Sequence, residues 1–161
     1  MFTKMTVFAH GKNENGIDST LSFCADSSDC GQGPKIIATI SGKCRKGICC
    51  TAGPIFTKET VDKDVRFSFT LHNIGSFIEG IERILDPRGK TESESVFLTN
   101  GSCSLDKVHK EGALPGYRIA IVEGKYGDDA AFGNTITLTR GQVVCMREMF
   151  KNSLPALCLD I

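Results

Sequence analysis

The sequence predicts a mainly β fold: a disulfide-stabilised β-sandwich or β-barrel with one or two short helices. Three observations predict it. Short apolar–polar alternations recur along the 161 residues, between turns drawn from 17 glycines, and that rhythm without βαβ units belongs to sandwiches and barrels. Only one segment has a clear helical period. The chain carries eight cysteines, an even number, as a bridged framework would.

The elements follow in order. Thr3–Ala9 alternates in part and reads as a strand, and Gly11–Asp18 reads as a turn rich in Asn and Gly. Thr20–Cys24 puts Leu21 and Phe23 on one face, and Ala25–Pro34 is a polar loop. Lys35–Ile40 is β-branched and reads as a strand, followed by a basic turn at Gly42–Gly47. Val65–Leu71 is the clearest strand, with Val65, Phe67, Phe69 and Leu71 alternating against Arg66, Ser68 and Thr70.

In Ser76–Leu85, Phe77, Ile78, Ile81, Ile84 and Leu85 fall on one helical face. Ser76 and Glu79 form a capping box and Pro87 ends the segment, although Gly80 weakens it by up to about 1 kcal/mol against Ala. Asp86–Ser95 reads as a charged loop, Ser95–Thr99 as a strand and Asn100–Gly116 as an irregular loop. Tyr117–Glu123 and Asn134–Thr139 read as strands joined through Gly124–Gly133. Val143–Phe150 fits either a strand or a short helix, and Leu157–Ile161 reads as a terminal strand. The chain reads as one domain over 1–161, with a possible internal subdivision near 86–95, because each half would be marginal alone.

The cysteines are Cys24, Cys30, Cys44, Cys49, Cys50, Cys103, Cys145 and Cys158. Zinc is the weaker reading, since the spacings lack paired knuckles and the three histidines form no H-x₃₋₅-H pair. Scattered reduced thiols are equally secondary. Bridges are preferred, with the adjacent Cys49 and Cys50 reaching different partners and the pairing left open among 105 possibilities. Each would contribute on the order of 3 kcal/mol. Bridging implies a secreted, extracellular protein. The first residues lack an apolar leader core, so the chain reads as a mature form. Asn100-Gly101-Ser102 makes Asn100 a glycosylation candidate.

Lysine and arginine total 19, as do aspartate and glutamate, and a zero balance argues against nucleic acid as a partner. No run is long enough for a transmembrane segment. Nucleophile-elbow, zinc-protease, P-loop and dinucleotide motifs are absent, so no cofactor and no metal is expected. Asp128 and Asp129 could bind an ion or a partner, or serve as acid and base, although a solvated turn explains them as well. Asp26, Ser28 and Asp29 near Gly31 offer oxygen ligands but lack the spaced acids and terminal Glu of a calcium loop. Lys43, Arg45 and Lys46 form a basic cluster able to touch an anionic partner. His10, His72 and His109 read as solvated surface groups.

The composition resembles that of small secreted cysteine-rich proteins of the effector or toxin kind, a likeness of class that supplies no site residues. The leading expectation is therefore a monomeric, non-catalytic binding protein that recognises an unknown protein or surface receptor through bridged loops. The alternative is a small secreted hydrolase or cyclase-like β-barrel enzyme using Asp128, Asp129 and a histidine.

Overall fold

The computed structural model describes residues 6–26, 35–50, 53–98, 100–109, 112, 115–124 and 130–159; of these, the side chains of 26, 49–50, 53–54 and 154–159 lie outside the description. The strands are β1 (Thr6–Lys12), β2 (Asp18–Asp26), β3 (Lys35–Ser41), β4 (Lys43–Cys50), β5 (Gly53–Asp62), β6 (Val65–Thr70), β7 (Ser93–Leu98), β8 (Gly101–Val108), β9 (Gly116–Glu123) and β10 (Ala131–Leu138). Two helices, α1 (Leu71–Leu85) and α2 (Arg140–Leu159), follow β6 and β10.

All described pairings are antiparallel and build two sheets, β1-β2-β3-β6 and β5-β4-β10-β9-β8-β7. Only Gly42 separates β3 from β4, and its φ of 130° is a bend that glycine adopts without a Cβ clash. Lys63 and Asp64 stand at the matching place between β5 and β6. Two arms of one long hairpin therefore change sheets together. Counted as bent strands, they make the chain run four strands, a helix, four strands, a helix.

The mainly β class holds, but barrel closure does not: each sheet is open, with β1 and β6, or β5 and β7, at its edges. The bridged framework is corrected too. Cys44, Cys103 and Cys145 are free thiols, the first two buried and the third exposed on α2. Cys44 and Cys103 point into the core beside Ile and Phe side chains, where an unoxidised cysteine packs as a small apolar residue. Burial pushes the Cys103 thiol up to about 12 and raises that of Cys44, against the opposing pull of Lys63. Cys30, and the side chains of Cys49, Cys50 and Cys158, lie outside the described residues.

α1 begins five residues before the expected start. Thr70 caps it by accepting from the Asn73 amide at 3.3 Å, so β6 runs directly into the helix and His72 lies in the first turn. Ile74, Phe77, Ile78, Ile81, Ile84 and Leu85 are buried as the period requires. Gly80 is a packing site: a Cβ there would lie 2.9 Å from Glu94 Cγ, and Glu94 ion-pairs with Arg83 at 2.8 Å. The ambiguous segment is helical. Thr139 and Gln142 cap α2 reciprocally, at 2.9 and 3.2 Å. α2 buries Val143, Met146 and Phe150. The expected terminal strand is instead helix to Leu159, with 160–161 outside the description. The Phe150 ring sits 5.2, 5.7 and 6.2 Å from those of Phe23, Phe69 and Phe77, joining α2 to the four-stranded sheet and α1.

Candidate functional site

The six-stranded sheet has two chemically different faces. Cys103, Leu105, Tyr117, Ile119, Ile121, Ile136 and Leu138 point inward to the helices and the common core. Side chains directly opposed across strands share a face, so the register assigns the outer face. One row runs Phe97, Ser102, Val122, Gly133, Arg45. The next runs Ser95, Ser104, Ala120, Thr135, and a third runs Ser93, Asp106, Arg118, Thr137. Small and hydroxyl-bearing residues dominate the centre, leaving it low and flat.

Aromatic rings stand at both ends of the first row. Phe97 on the edge strand β7 is 76% exposed. At the other end the Phe56 ring lies over Gly133, where a Cβ would come within 2.7 Å of its tip. Three strand spacings separate Phe97 from Gly133, roughly 14 Å. On the third row, Arg118 Nε is shielded from solvent with no hydrogen-bond partner among the described residues, although Asp106 stands opposite in register. Asp106 instead accepts from the Ser93 hydroxyl.

The basic cluster is split by the pleat. Lys43 and Arg45 lie on the outer face, while Lys46 opposes Phe132 on the other side. Arg45 is met by the β1–β2 turn: Nη2 donates to Asn15 Oδ1 at 2.9 Å, and Nε stands 3.3 Å from the Glu14 carboxylate. Where the two sheets join, Glu123 accepts from the Arg66 amide at 2.8 Å and pairs with Lys63.

The other sequence candidates do not assemble. His10 on β1 contacts the Thr20 hydroxyl of β2, His109 pairs with Glu92, and His72 is exposed on α1. Among the described residues no three His, Cys, Asp or Glu side chains gather as a metal site. Asn100 is exposed in the turn between β7 and β8. Asp128, Asp129 and Asp29 lie outside the described residues, as does the Asp26 side chain. No described helix is long and apolar enough to cross a membrane. Sequence reasoning missed Phe97, Phe56 and Arg118, whose common face follows only from the strand register.

The sequence matches no family model and no curated protein. Solved structures do match. The crystal structure of WHY1 from Arabidopsis thaliana superposes with a TM-score of 0.51 at 13% identity, covering 98% of this chain and 85% of that one. For WHY3 from the same plant the TM-score is 0.50 at 14% identity, covering 98% and 90%. The chain has the fold of WHY1 and WHY3.

Those two are Whirly single-stranded DNA-binding proteins, and this likeness overturns four expectations. The secreted, effector-like binder and its hydrolase alternative both fall. The surface-receptor partner and the exclusion of nucleic acid fall with them. So does the extracellular address, because the neighbours are intracellular, and the disulfide, toxin and virulence associations lose their basis in bridged cysteines. The physical reasons are two. Buried cysteines such as Cys44 and Cys103 are free thiols packed in the core, and a net charge summed over the whole chain says nothing of how charge is distributed over one face.

Proposed function

We propose that this protein binds single-stranded nucleic acid across the outer face of its six-stranded sheet. One observation carries the reading: a flat row of small side chains bounded by the rings of Phe97 and Phe56, with the Arg118 guanidinium two rows away on the same face. Single strands offer unstacked bases, and protein platforms for them combine aromatic rings with cations that follow the backbone. Small residues between the rings let bases approach the sheet. Serine and threonine hydroxyls can donate to phosphate or base oxygens. A stacked duplex would present neither free base faces nor a backbone shaped to this flat row. The fold shared with two single-stranded DNA-binding proteins supports the same reading.

Neutrality of the chain then sets the character of binding. Lys43, Arg45 and Arg118 are the cations that the register places on this face. Arg45 is already paired with Glu14, so neutralising about two phosphates of a single strand gives a slope of log affinity against log salt near −1.4. Stacking and hydrogen bonding carry the remainder.

The test is fluorescence anisotropy of the full chain with a labelled 30-nucleotide single strand, as DNA and as RNA, and with the matching duplex across a salt series. We expect saturable single-strand binding, a duplex at least about tenfold weaker, and the shallow slope. Equal affinity for the duplex, or no binding to either strand chemistry, overturns the proposal.

A further inference from the structure

We propose that Glu14 is an intramolecular competitor for the phosphate that Arg45 would otherwise hold, so that the β1–β2 turn tunes the affinity of the outer face. This rests on the nucleic-acid reading of that face and adds a residue and a sign to it.

The turn is anchored from inside. Asn13 is 5% exposed. Its Oδ1 accepts from the amides of Asn15 and Ile17, both at 2.9 Å. Its Nδ2 donates to the Lys43 carbonyl and to Asn134 Oδ1, both at 3.3 Å. One buried side chain thus folds the turn and fastens it to β4 and β10. Gly16, at a φ of 76°, completes the reversal. The anchored turn rests on the outer face, where the Glu14 amide donates to Thr135 Oγ1 at 2.9 Å and Thr135 is left 8% exposed.

This placement directs a carboxylate at the cation. Glu14 Oε1 stands 3.3 Å from Arg45 Nε, the two side chains 34% and 38% exposed. Asn15 Oδ1 takes Nη2 of the same guanidinium. A guanidinium holds phosphate best through two parallel N–H donors. Here both donors of one edge of the fork, Nε and Nη2, are already engaged by one short turn. A phosphate must displace the Glu14 carboxylate or approach against its charge, and Arg45 gives correspondingly less to binding. A half-exposed pair of this kind is weak enough to exchange, which makes it a modulator of affinity.

Anisotropy with a labelled 30-nucleotide thymidylate strand tests this on five full-length proteins: wild type, Glu14→Gln, Glu14→Ala, Arg45→Gln and the variant combining Glu14→Gln with Arg45→Gln. Glu14→Gln keeps the shape and the Thr135 contact, and Glu14→Ala repeats the measurement without the amide. We expect Glu14→Gln to tighten binding by about 2- to 5-fold and to steepen the salt slope by about 0.7, one further phosphate neutralised. The gain is expected to vanish in the Arg45→Gln background. Unchanged or weaker binding by both Glu14 variants overturns the proposal, because the turn would then be positioning Arg45 for its ligand. An equal gain in both backgrounds also overturns it, as long-range repulsion by Glu14. Either result leaves the nucleic-acid reading standing. Failure of all five proteins to bind removes both.

Discussion

Replacing Phe97 by alanine separates a stacking residue from a structural one. The ring is 76% exposed, so about a quarter of it is covered by the fold. A phenylalanine side chain presents about 150–250 Å², so the fold buries roughly 50 Å² of it, worth on the order of 1 kcal/mol at 25 cal/mol per Å². For a chain of this size that lowers the melting temperature by about 2–4 °C. Stacking one base on an aromatic side chain is worth about 1–3 kcal/mol, or roughly 5- to 140-fold in Kd. Phe97 stands on an edge strand with no neighbour on one side, so the lower part of that range, about 5- to 30-fold, is expected. Phe97→Trp keeps a π-face and should bind at least as tightly as wild type. The assay is single-strand anisotropy at constant salt, alongside thermal melting of each variant. An unchanged Kd for Phe97→Ala refutes the stacking role, as would an equal loss in Phe97→Trp, which would mean that the shape of the edge is what counts.

Phe150→Ala should cost about 3–5 kcal/mol, because the ring is fully buried among Phe23, Phe69 and Phe77; urea unfolding reads this as a lower midpoint at unchanged slope. In the folded state burial raises the Cys103 thiol from 9.0 to about 12, so the folded chain holds a proton that the unfolded chain releases. Stability is therefore intact below pH 9 and falls between about pH 9 and 12, by up to about 1.4 kcal/mol per unit; Cys103→Ala should flatten that part of the pH–stability curve. Iodoacetamide without reductant should label Cys145 in the native protein, and Cys44 and Cys103 only after unfolding in denaturant, as peptide mass mapping would record; a requirement for reductant at Cys44 or Cys103 would restore a bridge.

Elements that bury an apolar face on a regular period were legible. β6 and the buried face of α1 appear in the sequence as Val65-x-Phe67-x-Phe69 and as the Phe77–Leu85 period. The start of α1 was misplaced because Ser76-x-x-Glu79 mimics a cap, whereas the working cap is Thr70, hidden at the end of a strand. Thr139-x-x-Gln142 was a legible capping box that decides for helix in the ambiguous segment. Leu157–Ile161 alternates like a strand, yet a helix already anchored by Phe150 carries on through Leu159. The glycine and cations of β4 have the composition of a turn. Gly42 bends the chain there, the pairing with β5 shifts register between Arg45 and Gly47, and Gly47 is needed because a Cβ would lie 2.2 Å from the Ile55 carbonyl oxygen.

The candidate site was the least legible part, for a reason that belongs to its chemistry. The outer face is made of small polar side chains, and runs such as Ser102-Cys103-Ser104 or Gly133-Asn134-Thr135 then carry the composition of loops. Sequence reading ranks strands by apolar alternation, which reports the buried face alone. The outer row joins β7, β8, β9, β10 and β4, positions spread from Arg45 to Gly133. Contacts of that range are set by strand order, which local pattern does not encode. Arg45 shows both sides of this. Its charge was legible as a member of a basic cluster, but its partner Glu14 comes from another hairpin. A count of charges gives a neutral chain, whereas the fold shows part of that neutrality as specific pairs such as Arg45 with Glu14.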